Sequence, residues 1–424
     1  MYDEFTLDNG LRVIAEHIPH FRSVSLGLWI GAGSMYETEA DNGLSHLVEH
    51  MLFKGTERRS AREIAQEMDA VGGQINAFTA KECTCYYAKV MDEHFEKAMD
   101  LLSDLLLRAK LDPAELEKER GVILEEIAMV EDTPEDLVHD MLSAAHYKGQ
   151  ALAMPILGTA RMIRDATPGT LASFRRAHYR PDNTVLSVAG NYSLDELSAL
   201  AAKYLGGWPP AEPPGPPRLA EGYDSGMLRR NKDIEQTHIC LGYPGIPLGS
   251  PDLYALSVLN NLLGGGMSSR LFQRIREELG IAYSVYSYPT LYPGGGMFTI
   301  YAGTSPDNAF GALEQIAGEL ARLLDGGVTD EEFRQAREQL KGGYILGLES
   351  ASSRMSSIGR NKLLLGRAVG EDEILGRIAG VTREDVTRIA RQTLAAPCSV
   401  ALVGRGADRL DARKALGEAR GVIG

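Results

Sequence analysis

A proline-dense segment, Gly206-Gly-Trp-Pro-Pro-Ala-Glu-Pro-Pro-Gly-Pro-Pro217, breaks the chain near its middle. Proline lacks the N–H that a helix or sheet interior needs, and it favours stiff, extended polyproline geometry. Residues 209–218 therefore read as a semi-rigid linker between residues 1–208 and residues 219–424. The two halves echo each other. The apolar run at 236–246 and the helix-like run at 253–263 repeat the pattern of 23–33 and 44–52. Thr167-Pro-Gly-Thr-Leu before the run 185–190 is matched by Thr382-Arg-Glu-Asp-Val before 399–404. Strand-like runs at 11–18, 24–30 and 75–91 are followed by helical spacing at 95–107, 113–130 and 194–203. Together these predict an α+β chain of two homologous units, each a sheet backed by helices.

Composition narrows the function. At 44% hydrophobic and 24% charged residues the chain is expected to be soluble and globular. No run of eighteen apolar residues exists, so no membrane span is expected. Met1-Tyr-Asp-Glu-Phe-Thr-Leu lacks the basic start and apolar core of a signal peptide and is too acidic for a transit peptide. Cys83 and Cys85 alternate with Thr84, so they share a face and do not pair readily; with Cys240 and Cys398 they read as reduced core residues. A cytoplasmic protein is the expectation. A net charge of -14 speaks against a nucleic-acid partner, because phosphate binding needs basic footprints.

The strongest chemical signal is His46-Leu-Val-Glu-His50. On a helix, residues four apart lie one turn apart on one face, where two imidazoles can grip one metal ion. Glu49 stands beside them, able to face a water on that ion without ligating it. This is H-x-x-E-H, the reverse of the zinc-protease signature H-E-x-x-H. Leu44, Leu47, Val48, Met51, Leu52 and Phe53 surround the motif with apolar side chains, which predicts partial burial and hence a need for partners. In the aligned second half Val258, Asn261 and Leu262 take the places of His46, Glu49 and His50, so only the first copy keeps metal chemistry. A catalytic zinc wants a third protein ligand and an open position. The acidic run 115–132 reads as a helix with Pro113 at its start and Val122, Ile123, Ile127 and Val130 as its apolar stripe. Glu119 and Glu126 are two turns apart on one face, and Glu125 points about 100° away. For most of these acids spacing alone favours a solvated Glu-rich face.

Three motifs in order resemble the pitrilysin and mitochondrial processing peptidase family of zinc metallopeptidases, the inverzincins. They are Gly43-Leu-Ser-His-Leu-Val-Glu-His-Met-Leu-Phe-Lys-Gly-Thr56, Gly72-Gly-Gln-Ile-Asn-Ala-Phe-Thr-Ala-Lys-Glu-Cys-Thr-Cys-Tyr-Tyr87 and Glu119-Arg-Gly-Val-Ile-Leu-Glu-Glu126. The resemblance implies one Zn2+ per chain on His46, His50 and Glu126, with Glu119 supporting the site and Glu49 as general base. It implies that Asn76, Ala77, Phe78 and Thr79 form an edge strand that binds an extended, unfolded peptide. It also implies that an arginine and a tyrosine seven residues apart in the second half reach the substrate. Arg276 and Tyr283 match that spacing, and Arg274 is the nearest competitor. The expected architecture is a clamshell of two pseudo-symmetric domains, a catalytic one at 1–208 and a substrate-binding one at 219–424. Two such domains are half of the four-domain chamber of longer relatives, so a homodimer, or a heterodimer with a related subunit, is expected. The expected activity is that of a zinc metalloendopeptidase. The rival readings are a non-catalytic scaffold or partner subunit and a module with structural zinc. A structural site normally takes four protein ligands, and His94, His139 and His146 carry no ligand spacing.

Overall fold

Every side chain from Val24 to Ile30 is buried, because a central strand covered on both faces has no solvent side. The computed structural model describes residues 2–213 and 221–418; the linker residues 214–218 lie outside the described residues. In the first unit, β1 (Asp3–Thr6), β2 (Arg12–His17), β3 (Ser23–Ile30), β4 (Gln74–Thr79), β5 (Thr84–Met91) and β6 (Thr184–Gly190) form one mixed sheet. Its order is β1-β2-β6-β3-β5-β4, so β4 is an edge. Val24, Leu26, Leu28 and Ile30 project into one core with Leu47, Val48, Met51 and Leu52 of the Leu44–Leu52 helix. Trp29 projects to the other face, where the Ala351–Leu365 helix packs Met355 and Ile358 against it. Gly27 makes that approach possible, since a Cβ there would lie 2.6 Å from Met355 Sδ.

The second unit repeats the plan. Strands β7 (Met227–Asn231), β8 (Thr237–Pro244), β9 (Ala282–Tyr292), β10 (Gly295–Thr304) and β11 (Ser399–Gly404) are ordered β7-β11-β8-β10-β9. In each sheet one parallel pair, β2 with β6 and β7 with β11, is followed by three antiparallel ones. The paired motifs seen in the sequence sit at matching places. Thr167 and Thr382 each close a capping box at a helix start. The strands that follow end at Gly190 (φ +137°) and Gly404 (φ +151°), and a Cβ at either would strike the start of the neighbouring strand.

The units are not separated by one cut at the linker. The first comprises residues up to Ala128, the stretch from Met154 to the linker, and Ile345–Gly370; the second takes in Met129–Ala153. The Pro134–His146 helix, from the first half of the sequence, thus packs on β8 and β11. The Ala351–Leu365 helix, from the second half, packs on β2, β3 and β6. Residues 1–208 and 219–424 as domains leave out this exchange. Cys83, Cys85 and Cys240 are buried, and no disulfide forms among the described residues. None of the described helices is long and apolar enough to cross a membrane.

Candidate metal centre

The Leu44–Leu52 helix begins in an unusual way. Gly43 precedes it with φ +102° and no side-chain cap. The cap comes instead from Glu37, whose carboxylate accepts the backbone N–H of Gly43 (2.7 Å) and of Ser45 (2.7 Å) and the Asn42 amide (3.0 Å). Glu37 is buried, and burial pushes its carboxyl above the usual range while these donors oppose the shift. A negative group there satisfies orphan donors and meets the positive end of the helix dipole. With Leu44, Leu47, Val48, Met51 and Leu52 in the core, the remaining face carries His46, Glu49 and His50, the two imidazoles 4.5 Å apart between ring centres.

The Pro113–Asp132 helix supplies the acids. Asp112 Oδ1 accepts the N–H groups of Ala114 and Glu115, and Pro113 occupies the first turn as expected. Its buried stripe is Leu116, Glu119 and Ile123. Val122, expected in the apolar stripe, is 44% exposed. A glutamate can join the buried stripe because it is fully engaged: Glu119 Oε1 is 2.6 Å from Lys54 Nζ, and Oε2 is 3.1 Å from His50 Nδ1. An ionised carboxylate only accepts, so His50 Nδ1 carries the hydrogen and Nε2 keeps its lone pair.

Glu126 closes the cluster. Its Oε2 lies 3.8 Å from His46 Nε2 and its Oε1 lies 3.8 Å from His50 Nε2. The ligand atoms of His46, His50 and Glu126 all lie within 4.8 Å of one another, and no other such group occurs among the described residues. At 3.8 Å the contacts are too long for hydrogen bonds. Tetrahedral zinc with bonds of 2.0–2.1 Å would place its ligand atoms about 3.4 Å apart, so the donor set fits one ion. Burial, and next the neighbouring His50, push the His46 imidazole down to about 4, which keeps it in the neutral form that ligates. Glu125 is exposed on the same helix.

Glu49 stays outside this set. Its Oε2 accepts the Thr79 hydroxyl at 2.6 Å. Burial raises the Glu49 carboxyl from its ordinary value, and the Thr79 hydrogen bond opposes that rise. Thr79 ends β4, where Asn76 and Phe78 are exposed and Ala77 and Thr79 half-buried. Among the described strands only β5 pairs with β4, so its outer edge meets no other strand, and the Ala77 N–H donates to the Asn76 side chain at 2.8 Å.

In the second unit, Arg276 lies in a π-helical turn, Phe272–Glu278, and its guanidinium stands 5.0 Å from the ring centre of Tyr283, on β9. Tyr283 is 74% exposed. Arg274 points elsewhere, to Glu278 at 2.7 Å. The structure thus brings Arg276, not its competitor, to Tyr283. His139 lies against Tyr286 and Tyr288, His146 bonds Ser399, and His94 lies beside Glu93. Sequence reasoning missed Glu37 and Lys54. Gly43 before an apolar helix was the one available signal for an unusual start, and nothing in the spacing pointed to Glu37.

Known proteins resemble this chain over most of its length. Residues 12–160 match the family model described as "Insulinase (Peptidase family M16)", and residues 165–340 match "Peptidase M16 inactive domain". The "Uncharacterized zinc protease YmxG" of Bacillus subtilis is 45% identical over 405 residues, covering 95% of this chain and 98% of that protein. A similarly named zinc protease of Streptomyces coelicolor is 40% identical over 415 residues, covering 96% and 90%. Among solved structures, a protease from Helicobacter pylori superposes with a TM-score of 0.90 at 21% identity, covering 95% of this chain and 99% of that one. A "peptidase M16 inactive domain" structure from Pseudomonas fluorescens superposes with a TM-score of 0.89 at 22% identity, covering 96% and 98%.

Proposed function

Because this chain belongs to the M16 family of peptidases, we propose that it is a zinc metalloendopeptidase acting on extended, unfolded peptides. The observation that carries the proposal is the cluster of His46, His50 and Glu126, with Glu49 beside it and outside the ligand set. A zinc ion held there would polarise the scissile carbonyl and lower the pKa of a water to about 7. Glu49 then takes the proton of the attacking water and passes it to the leaving amine. Glu119 keeps His50 in the tautomer that leaves Nε2 free, and Lys54 balances the charge of Glu119. The peptide adds to the open edge of β4 along Asn76, Ala77, Phe78 and Thr79, by backbone hydrogen bonds. An extended, unfolded segment offers those backbone groups freely. The Arg276–Tyr283 pair takes the substrate backbone or a developing oxyanion, the role the family resemblance implies.

A non-catalytic role suits residues 165–340 taken alone, where Val258, Asn261 and Leu262 replace the histidines and glutamate. It does not suit residues 12–160, which hold the full set. The test is hydrolysis of an unstructured fluorogenic peptide by the purified chain, before and after chelation. Cleavage is expected to disappear with the metal and return with added zinc. Cleavage that survives complete metal removal, or a zinc-loaded protein inert toward a panel of such peptides, contradicts the proposal.

A further inference from the structure

A glutamate side chain has three rotatable bonds, so a general base of this type needs something to aim it. Glu49 lies outside the ligand set, and among the described residues its carboxylate has one hydrogen-bond partner, the Thr79 hydroxyl at 2.6 Å. The Thr79 hydroxyl has one other acceptor within reach. Thr84 Oγ1, 3.4 Å from Thr79 Oγ1, donates its own hydrogen to the Ala32 carbonyl at 2.9 Å. A carboxylate only accepts, so Thr79 gives its single hydrogen to Glu49 Oε2 at 2.6 Å rather than to the more distant Thr84 oxygen, and Oε1 is left to receive a proton. Thr79 is itself held in register, opposite Thr84 of β5. It also closes β4, the edge to which the peptide is proposed to add.

We propose that Thr79 is a positioning residue that aims the Glu49 carboxylate at the attacking water from the same strand that receives the substrate. The base and the scissile bond are then referenced to one backbone ladder. A peptide bound in register places its carbonyl, and Thr79 places the base, without a separate adjustment. The inference rests on the peptidase reading above and assigns Thr79 more than the binding role that its place in β4 implies.

Thr79→Val keeps the shape and removes the hydroxyl; Thr79→Ser keeps the hydroxyl. Loss of one hydrogen bond to a charged group predicts that Thr79→Val lowers kcat by roughly 10- to 100-fold. KM and bound zinc are expected to stay near wild type, and Thr79→Ser to recover most of kcat. Peptide affinity, read by fluorescence anisotropy on a Glu49→Gln background where turnover is suppressed, is expected to be the same with and without Thr79→Val. An unchanged kcat in Thr79→Val overturns the inference. So does a loss confined to KM with a matching loss of peptide affinity, since Thr79 would then only bind substrate. These outcomes presuppose an active wild-type enzyme. A zinc-loaded wild type that cleaves no peptide defeats the peptidase reading, and this inference with it.

Discussion

Glu126 and Glu119 show how two identical side chains on one helix face come to do different things. Glu126 faces both Nε2 atoms, whereas Glu119 is held by Lys54 and the Nδ1 of His50. Glu126→Gln is therefore expected to lose most of the bound zinc. Glu119→Gln is expected to retain zinc but weaken it by about 10- to 100-fold, the usual cost of removing a group that orients a ligand. Metal content after dialysis against a competing chelator checks both, and normal zinc retention in Glu126→Gln would move the third ligand elsewhere. His46, Glu49 and His50 were legible because a metal forces donors onto one helix face at a fixed spacing. Glu119 and Glu126 share that periodicity, so spacing could not divide their roles. Glu37 was illegible for a different reason. It caps the Leu44–Leu52 helix from across a loop, at a distance along the chain that no local capping pattern describes.

At the scale of elements, periodicity reveals which face of a helix is apolar but not which sheet that face will meet. The Pro134–His146 helix illustrates the limit. Its sequence lies in the first half, and its partners are β8 and β11. His146, at its end, is fully buried and bonds Ser399 Oγ at 2.8 Å. Ser399 donates to the Asp224 carbonyl, so the imidazole donates from Nδ1. Burial pushes it down to about 4, against about 6.5 for an unfolded histidine. Between those values the unfolded chain binds a proton that the folded chain does not, so stability falls as pH falls. The contribution lost across this window is about 3 kcal/mol. Urea midpoints of the metal-free protein at pH 7 and pH 4.5 test it. His146→Gln is expected to show a flatter pH dependence than wild type; parallel curves would show that His146 does not titrate on unfolding. The same limit of periodicity explains Val122. Ile123 and Val122 are equally apolar, and only the packed neighbour decides which one is covered.

At the scale of the whole molecule, duplication was readable because the two copies keep the same punctuation: a capping threonine, a helix and an apolar strand ending in glycine. The exchange of helices was not, because no local pattern distinguishes a helix that stays with its own half from one that leaves. It has a consequence for truncation. Residues 1–208 lack the Ala351–Leu365 helix, which covers Ile14, Trp29 and Val185. That fragment is expected to expose an apolar sheet face and to aggregate, and soluble yield with thermal unfolding measures this. A soluble fragment with a cooperative transition like the full chain's would show that the exchanged helix is dispensable. The central claim, that this fold assembles a metal site with a separate general base, is tested most directly by Glu49→Gln. The variant should bind as much zinc as wild type and unfold at a similar temperature, yet hydrolyse an unstructured peptide about 10²- to 10⁴-fold more slowly. Wild-type turnover by a zinc-loaded Glu49→Gln protein would contradict it.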